Sequence, residues 1–219
     1  MSTNTADYLD AIEHLPAGAT LRLQHVSWDE YEQILDELAE RAGLRVSYNQ
    51  GRLEIMSPLP EHEEYKGFIH RLVHILSEEM GLKLETRGSA TFRRKRDEKG
   101  AEPDESFYVQ NAEAIIGKRE IDLRVDPPPD IVVEIDTTNE SSSKFPIYAA
   151  LGVPEIWRYD GQQAQIYQLI DQTYTEAPSS RSFPGFTAEV LTLFIEQSKT
   201  QGQSVALAAF RQWIRMRQS

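Results

Sequence analysis

Pro129-Asp130-Ile131-Val132-Val133-Glu134-Ile135-Asp136, with Lys144 eight residues after Asp136, is the stretch on which the fold turns. An extended strand alternates its side chains, so Asp130, Val132, Glu134 and Asp136 share one face while Ile131, Val133 and Ile135 line the other. The run reads as a buried strand that carries carboxylates on one side. An unpaired buried carboxylate costs on the order of several kcal/mol or stays protonated. A divalent cation would neutralise that charge, so the strand suggests a metal site.

Successive same-face residues lie ~7 Å apart, which leaves Asp130 and Glu134 too distant to bind one small ion together. Glu134 therefore needs a carboxylate from a neighbouring strand. Asp104, in Glu102-Pro103-Asp104, opens the run that contains Phe107 and Val109 and is the candidate. Such a pair suits Mg²⁺ or Mn²⁺, with water and substrate phosphate completing the shell. Lys144 falls on the same side of a short helix as Ile147, Tyr148 and Leu151, so its ammonium turns inward and wants an anion. Asp130 and Asp136 stand at the strand ends, where capping or turn duties also account for them.

Outward from this strand, the chain alternates helices and strands. Ser27 and Glu30 form a capping box for a helix that Gly43 stops. Strands are expected at 44–48 and 52–56, joined by the hairpin signal Asn49-Gln50-Gly51. A long helix follows over 61–80, in which Tyr65, Phe68, Ile69, Leu72, Leu76 and Met80 make the apolar stripe. Its projection puts Glu61 and His62 on the core side and Glu63 away from it, while His70 and His74 fall off the stripe towards solvent. Strands are predicted at 83–87, 91–94, 106–110 and 130–136, then a short helix at 142–151. Further strands at 155–159, 164–169 and 174–176 precede helices at 190–197 and 205–217. This order predicts an α/β (α+β) fold with a mixed central β-sheet flanked by helices.

The chain has 219 residues, no cysteine and a formal net charge of −12. Its length supports one sizeable domain. The absent cysteines exclude disulfides and thiolate-bound zinc, and they fit a reducing cytoplasm. No apolar run approaches the ~20 residues that cross a bilayer, and the polar, acidic first ten residues are no secretory signal. The acidic balance argues against binding nucleic acid over the whole surface, but not against a local basic groove. Arg93-Arg94-Lys95-Arg96 is the densest cationic cluster, and Arg211, Arg215 and Arg217 form a second. No phosphate-cradling glycine loop and no glycine-flanked serine elbow is present.

At these residues the chain resembles the Uma-type putative restriction endonuclease family, a branch of the PD-(D/E)xK nuclease superfamily. The resemblance runs from about Gly43 to Tyr167. It is carried by Gly51-Arg52-Leu53-Glu54-Ile55-Met56-Ser57-Pro58, by His62, by Glu102-Pro103-Asp104 and by Pro129 to Ile135. Lys144 with Tyr148, Gly152-Val153-Pro154-Glu155 and Trp157 complete it. It implies a restriction endonuclease-like domain over 21–200, between a loosely ordered lead-in at 1–20 and a C-terminal helix at 201–219. It also implies Mg²⁺-assisted (or Mn²⁺-assisted) hydrolysis of DNA phosphodiesters by a cytoplasmic enzyme with no organic cofactor. By the same resemblance Asp104 and Glu134 are the metal-binding acids. The superfamily's lysine two residues after the glutamate is replaced here by Asp136, and Lys144 takes its place from the next helix. His62 or Glu61 would complete the outer shell, and Arg93, Arg94, Lys95 and Arg96 would grip the DNA backbone. A homodimer would cut both strands. The alternative is a degenerate nuclease fold kept as a dimeric nucleic-acid-binding or protein-interaction module.

Overall fold

Two β-sheets, each covered by helices, build the protein. The computed structural model describes residues 5–38, 43–137 and 141–218. In chain order the N-terminal part contains α1 (Thr5–Glu13), β1 (Thr20–Leu23), α2 (Trp28–Leu38), β2 (Arg45–Asn49), β3 (Arg52–Met56) and α3 (Pro60–Met80). The middle contains β4 (Glu85–Thr86), β5 (Phe92–Arg94), β6 (Lys99–Ala101), β7 (Glu105–Tyr108), α4 (Ala112–Ile115), β8 (Ile131–Ile135) and α5 (Phe145–Leu151). The last part contains β9 (Glu155–Tyr159), β10 (Ala164–Ile170), β11 (Thr173–Glu176), α6 (Ala188–Gln201) and α7 (Gln203–Gln218).

The first sheet, ordered β1-β3-β2-β6-β5, is antiparallel throughout. One of its faces packs on α2 through Val46, Tyr48, Leu53 and Ile55, against Trp28, Tyr31 and Ile34. Tyr31 stacks on Tyr48 with ring centroids 4.6 Å apart. A glycine is required at position 100, because a Cβ there would lie 2.2 Å from the Tyr31 hydroxyl. The capping box closes α2 as expected: the Ser27 amide donates to Glu30 at 2.7 Å and the Glu30 amide to Ser27 Oγ at 3.3 Å.

The second sheet, ordered β11-β10-β9-β8-β7-β4, is mixed, with β8 parallel to β9 and the other pairs antiparallel. β8 is buried on both sides, as its alternation predicts. Ile131, Val133 and Ile135 join α3, α6 and α7 in the largest core, whereas Val132 faces Tyr108, Ile147, Tyr148 and Leu151. Thus α5 lies on the carboxylate side of β8 and α3 on the other.

Several expectations need correction. The lead-in is not loose over its described part: residues 5–13 are helical, Ile12 is buried, and Thr20 already opens β1. Positions 1–4 of the lead-in, 39–42 at the end of α2, and 219 lie outside the described residues. The strand expected at 83–87 shrinks to Glu85–Thr86, and β6 was not foreseen. The hairpin turn is the pair Gln50-Gly51, both at positive φ (49° and 90°). His70 is half-buried rather than solvated, its Nδ1 paired with Glu105 Oε2 at 2.9 Å.

Candidate active site

The two acids meet because of strand register. Glu105 pairs with Val133 in the antiparallel β7–β8 ladder, so one further step sets Asp104 opposite Glu134. Residues directly opposite in such a ladder point to the same side with Cβ atoms ~4.5–5.5 Å apart. Main-chain bonds fix this end: the Asp104 amide donates to Val133 O at 3.0 Å, and the Ile135 amide donates to Asp104 Oδ2 at 2.7 Å. Both carboxylates are interior, each 1% exposed.

Lys144 supplies the opposing charge. A short 3-10 turn over Ser141–Lys144 leads into α5, with Lys144 as its N-cap and Pro146 in the first turn. A cation at a helix N-terminus opposes the helix dipole, so the local structure does not favour this placement. The acids do: Lys144 Nζ lies 2.7 Å from Glu134 Oε2 and donates to Glu102 O at 3.3 Å. Tyr148, one turn on and fully buried, donates its hydroxyl to Glu134 Oε1. Sequence reasoning placed Tyr148 beside Lys144 but assigned it no role. Its position four residues after an inward lysine was the available signal.

Burial raises the Glu134 carboxyl to about 7; Lys144 pulls it back and the neighbouring Asp104 charge pushes it further up. Burial works against the Lys144 ammonium, yet Glu134 and Asp104 outweigh it and the pKa is raised. The Tyr148 phenol is driven well above its ordinary value, first by burial and then by Glu134.

Of this group Glu134 and Lys144, together with Asp136 and Ser143, line one side of a cleft of about 440 Å³, mouth included, and β1, β2 and β3 line the other. Arg45 is the residue that sequence reasoning missed. It is 4% exposed, its Nη2 donates to Glu63 at 2.8 Å, and its Nε lies 3.4 Å from Asp104 Oδ1 without a hydrogen-bond partner. As one more polar residue in a strand it gives no sign of this in the sequence.

The other predicted residues divide. Asp130 is structural: its carboxylate accepts from the Val109 and Asn111 amides at 2.7 and 2.9 Å and from Asn111 Nδ2 at 2.6 Å. Asp136 lines the cleft and is salt-bridged to Arg158 on β9. His62 is buried, bonded through Nε2 to Thr137 just past β8, and its Nδ1 has no partner. Glu61 is exposed, contrary to its projected core side; Glu63 is exposed as projected and reaches Arg45. None of Arg93, Arg94, Lys95 and Arg96 lines the cleft. Arg94 donates to Ala150 O and Leu151 O at the end of α5, and the other three face Glu32, Asp29 and Asp97.

The donor set suits a hard divalent cation. Two carboxylates stand opposite each other on adjacent strands, and one of them is held back from ionising partly by the other's charge, which a cation would offset. Among the described residues no cluster of three or more acidic, histidine or cysteine side chains forms a ready-made metal cage. Two carboxylates with waters and a substrate phosphate is the arrangement that Mg²⁺ ordinarily accepts.

The fold is a mixed α/β one of two sheets flanked by helices. Residues 28–194 match the Uma2 family, described as putative restriction endonucleases, and the chain belongs to that family. It is also similar to a crystal structure of a putative nuclease of the DUF820 group from Anabaena variabilis. That alignment covers 77% of this chain and 98% of the other at 17% identity, with a TM-score of 0.51, so it speaks for the fold alone. No curated protein matches the chain. Among the described residues, no helix is long and apolar enough to cross a membrane.

Proposed function

We propose that this chain is a cytoplasmic, metal-dependent DNA endonuclease in which Asp104 and Glu134 hold Mg²⁺ or Mn²⁺ and Lys144 serves in place of the lysine missing at position 136. The observation that carries this reading is the register that sets Asp104 opposite Glu134, with Lys144 bonded to Glu134 and both Glu134 and Lys144 lining the cleft. A divalent cation bound there supplies Lewis-acid polarisation of the scissile phosphate and a lowered pKa for bound water. Lys144 orients the attacking water and offsets negative charge gathering on the phosphoryl oxygens. Tyr148 fixes Glu134 Oε1, and Arg45 stands beside Asp104 Oδ1. Asp136 is salt-bridged to Arg158, and the ammonium of Lys144 is bonded to Glu134. Two copies of the site in a homodimer would cut both strands of a duplex.

Aspartate at the usual lysine position favours a second reading, a silent nuclease fold that only binds. Incubating supercoiled plasmid with Mg²⁺ or Mn²⁺ separates the two. Wild type should nick it, chelation should stop the reaction, and Glu134→Gln and Lys144→Ala should be slower by about 100-fold or more. Equal nicking by all three proteins defeats the catalytic reading.

A further inference from the structure

The predicted basic run at 93–96 is a poor grip for a phosphate backbone, because its four cations face Glu32, Asp97 and Asp29 and Arg94 is tied to α5 carbonyls. A different surface adjoins the acids. In the first sheet Arg22, Glu54 and Ser47 form one cross-strand row, so their side chains share a face. Arg45 belongs to the next row inward and Arg52 to the next row outward. The start of α5 packs on the β5–β6 half of this face through Phe92 and Ala101, and the β1-β3-β2 half forms one wall of the cleft.

The wall carries three arginines: Arg22 and Arg52 share Glu54, and Arg45 is paired with Glu63 and stands 3.4 Å from Asp104. Glu54 accepts from Arg22 Nε and Arg52 Nε, both at 3.0 Å, and from Ser143 Oγ at 3.2 Å. It thus holds two guanidinium groups at the lip, where their side chains stay 59% and 44% exposed. Arg45 stands deeper, with its Nε–H unpartnered. On a chain with net charge −12, such a cationic strip leading to the acids selects a polyanion at this place. Planar guanidinium forks match phosphate oxygens better than a lone ammonium does.

We infer that the cleft face of β1, β3 and β2 is the rail for a nucleic-acid phosphate backbone, with Arg22 and Arg52 contacting phosphates that flank the one delivered to Lys144. This rests on the nuclease reading and names how that site takes hold of its substrate. Phosphate contacts position a strand without reading its sequence, so the rail sets affinity and salt dependence.

The test measures binding of a labelled DNA duplex by fluorescence anisotropy, with Ca²⁺ as the cation, across a salt series. Arg22→Gln/Arg52→Gln should lower the log–log salt slope by about 1.8, near 0.9 for each lost contact, and weaken binding about equally on unrelated sequences. Arg22→Lys/Arg52→Lys should keep the slope, and Arg93→Gln/Arg96→Gln should leave it unchanged, with thermal melts confirming that each variant is folded. An unaltered slope in the Gln pair, a larger loss in the 93/96 pair, or no duplex binding by wild type overturns the rail. If the Gln pair binds like wild type while wild type nicks plasmid, the rail falls and the nuclease stands. If the slope drops while wild type never nicks, the rail stands and hydrolysis falls.

Discussion

Two glutamates on adjacent strands, Glu134 on β8 and Glu155 on β9, are both buried and both have pKa values raised first of all by burial. Their surroundings differ. Glu155 receives Ser180 Oγ at 2.7 Å and the Arg181 amide at 2.6 Å, which tie the loop before α6 to the sheet, and the Trp157 indole from its own strand, all neutral donors. Glu134 receives an ammonium, a phenol and the field of a second carboxylate, beside an open cleft. Burial and a raised pKa are therefore common to both acids. What sets Glu134 apart is a like-charged neighbour and a place on the cleft wall.

The largest effect should come from removing the charged partner of Glu134. Lys144→Met strands a buried carboxylate, should cost about 3–5 kcal/mol of folding stability in urea titrations, and should remove nicking. Glu155→Gln should also lower stability, yet nicking per folded molecule should stay within about twofold of wild type. Loss of activity in Glu155→Gln comparable to that in Lys144→Met would erase the distinction.

The response to pH sharpens it. A carboxyl held at about 7 is protonated below that pH and is then a poor cation ligand, so nicking should climb roughly tenfold per unit towards pH 7 and level off above. Stability runs the other way. A raised folded pKa favours the folded state at low pH, and the advantage is lost as pH rises from the unfolded carboxyl value of about 4.3 through the folded one. Glu155 has the same sign, so stability curves alone do not separate the acids, whereas the activity profile should be the same in Glu155→Gln. A flat rate profile between pH 5.5 and 8, as ~2.5 units of unchanged rate, would break the link to Glu134.

Tyr148→Phe should have the smallest effect. It removes one donor from Glu134 Oε1 and should cost about 1–3 kcal/mol, with a rate loss smaller than that of Lys144→Met. A full loss of nicking in a folded Tyr148→Phe protein would make the phenol more than a support for Glu134.

Much of this site was legible because it lies in regular structure. Alternation along β8 and helical spacing after Lys144 fix which side each residue faces, and Asp104 follows from the need for a second carboxylate. Glu61 faces solvent because the first turn of α3 starts at Pro60 after the extended Leu59, whereas Glu63 is exposed as projected and its long side chain reaches Arg45. β6 escaped notice because Lys99-Gly100-Ala101 has weak strand propensity and is shaped by contact with Tyr31 from α2. Arg45, Arg22 and Arg52 come together only when three strands pair, and no single segment shows that alignment.

The amide of Ile135 bonds to the side chain of Asp104, not to a backbone carbonyl. The acid proposed to hold the cation is thereby also a rung of the scaffold, and the chain does not complete this corner without positioning it. Thermal inactivation and loss of tertiary structure should accordingly share one midpoint, and Asp104→Ala should weaken the architecture as well as silence the enzyme, whereas Asp104→Asn keeps the rung and exposes the chemical role alone.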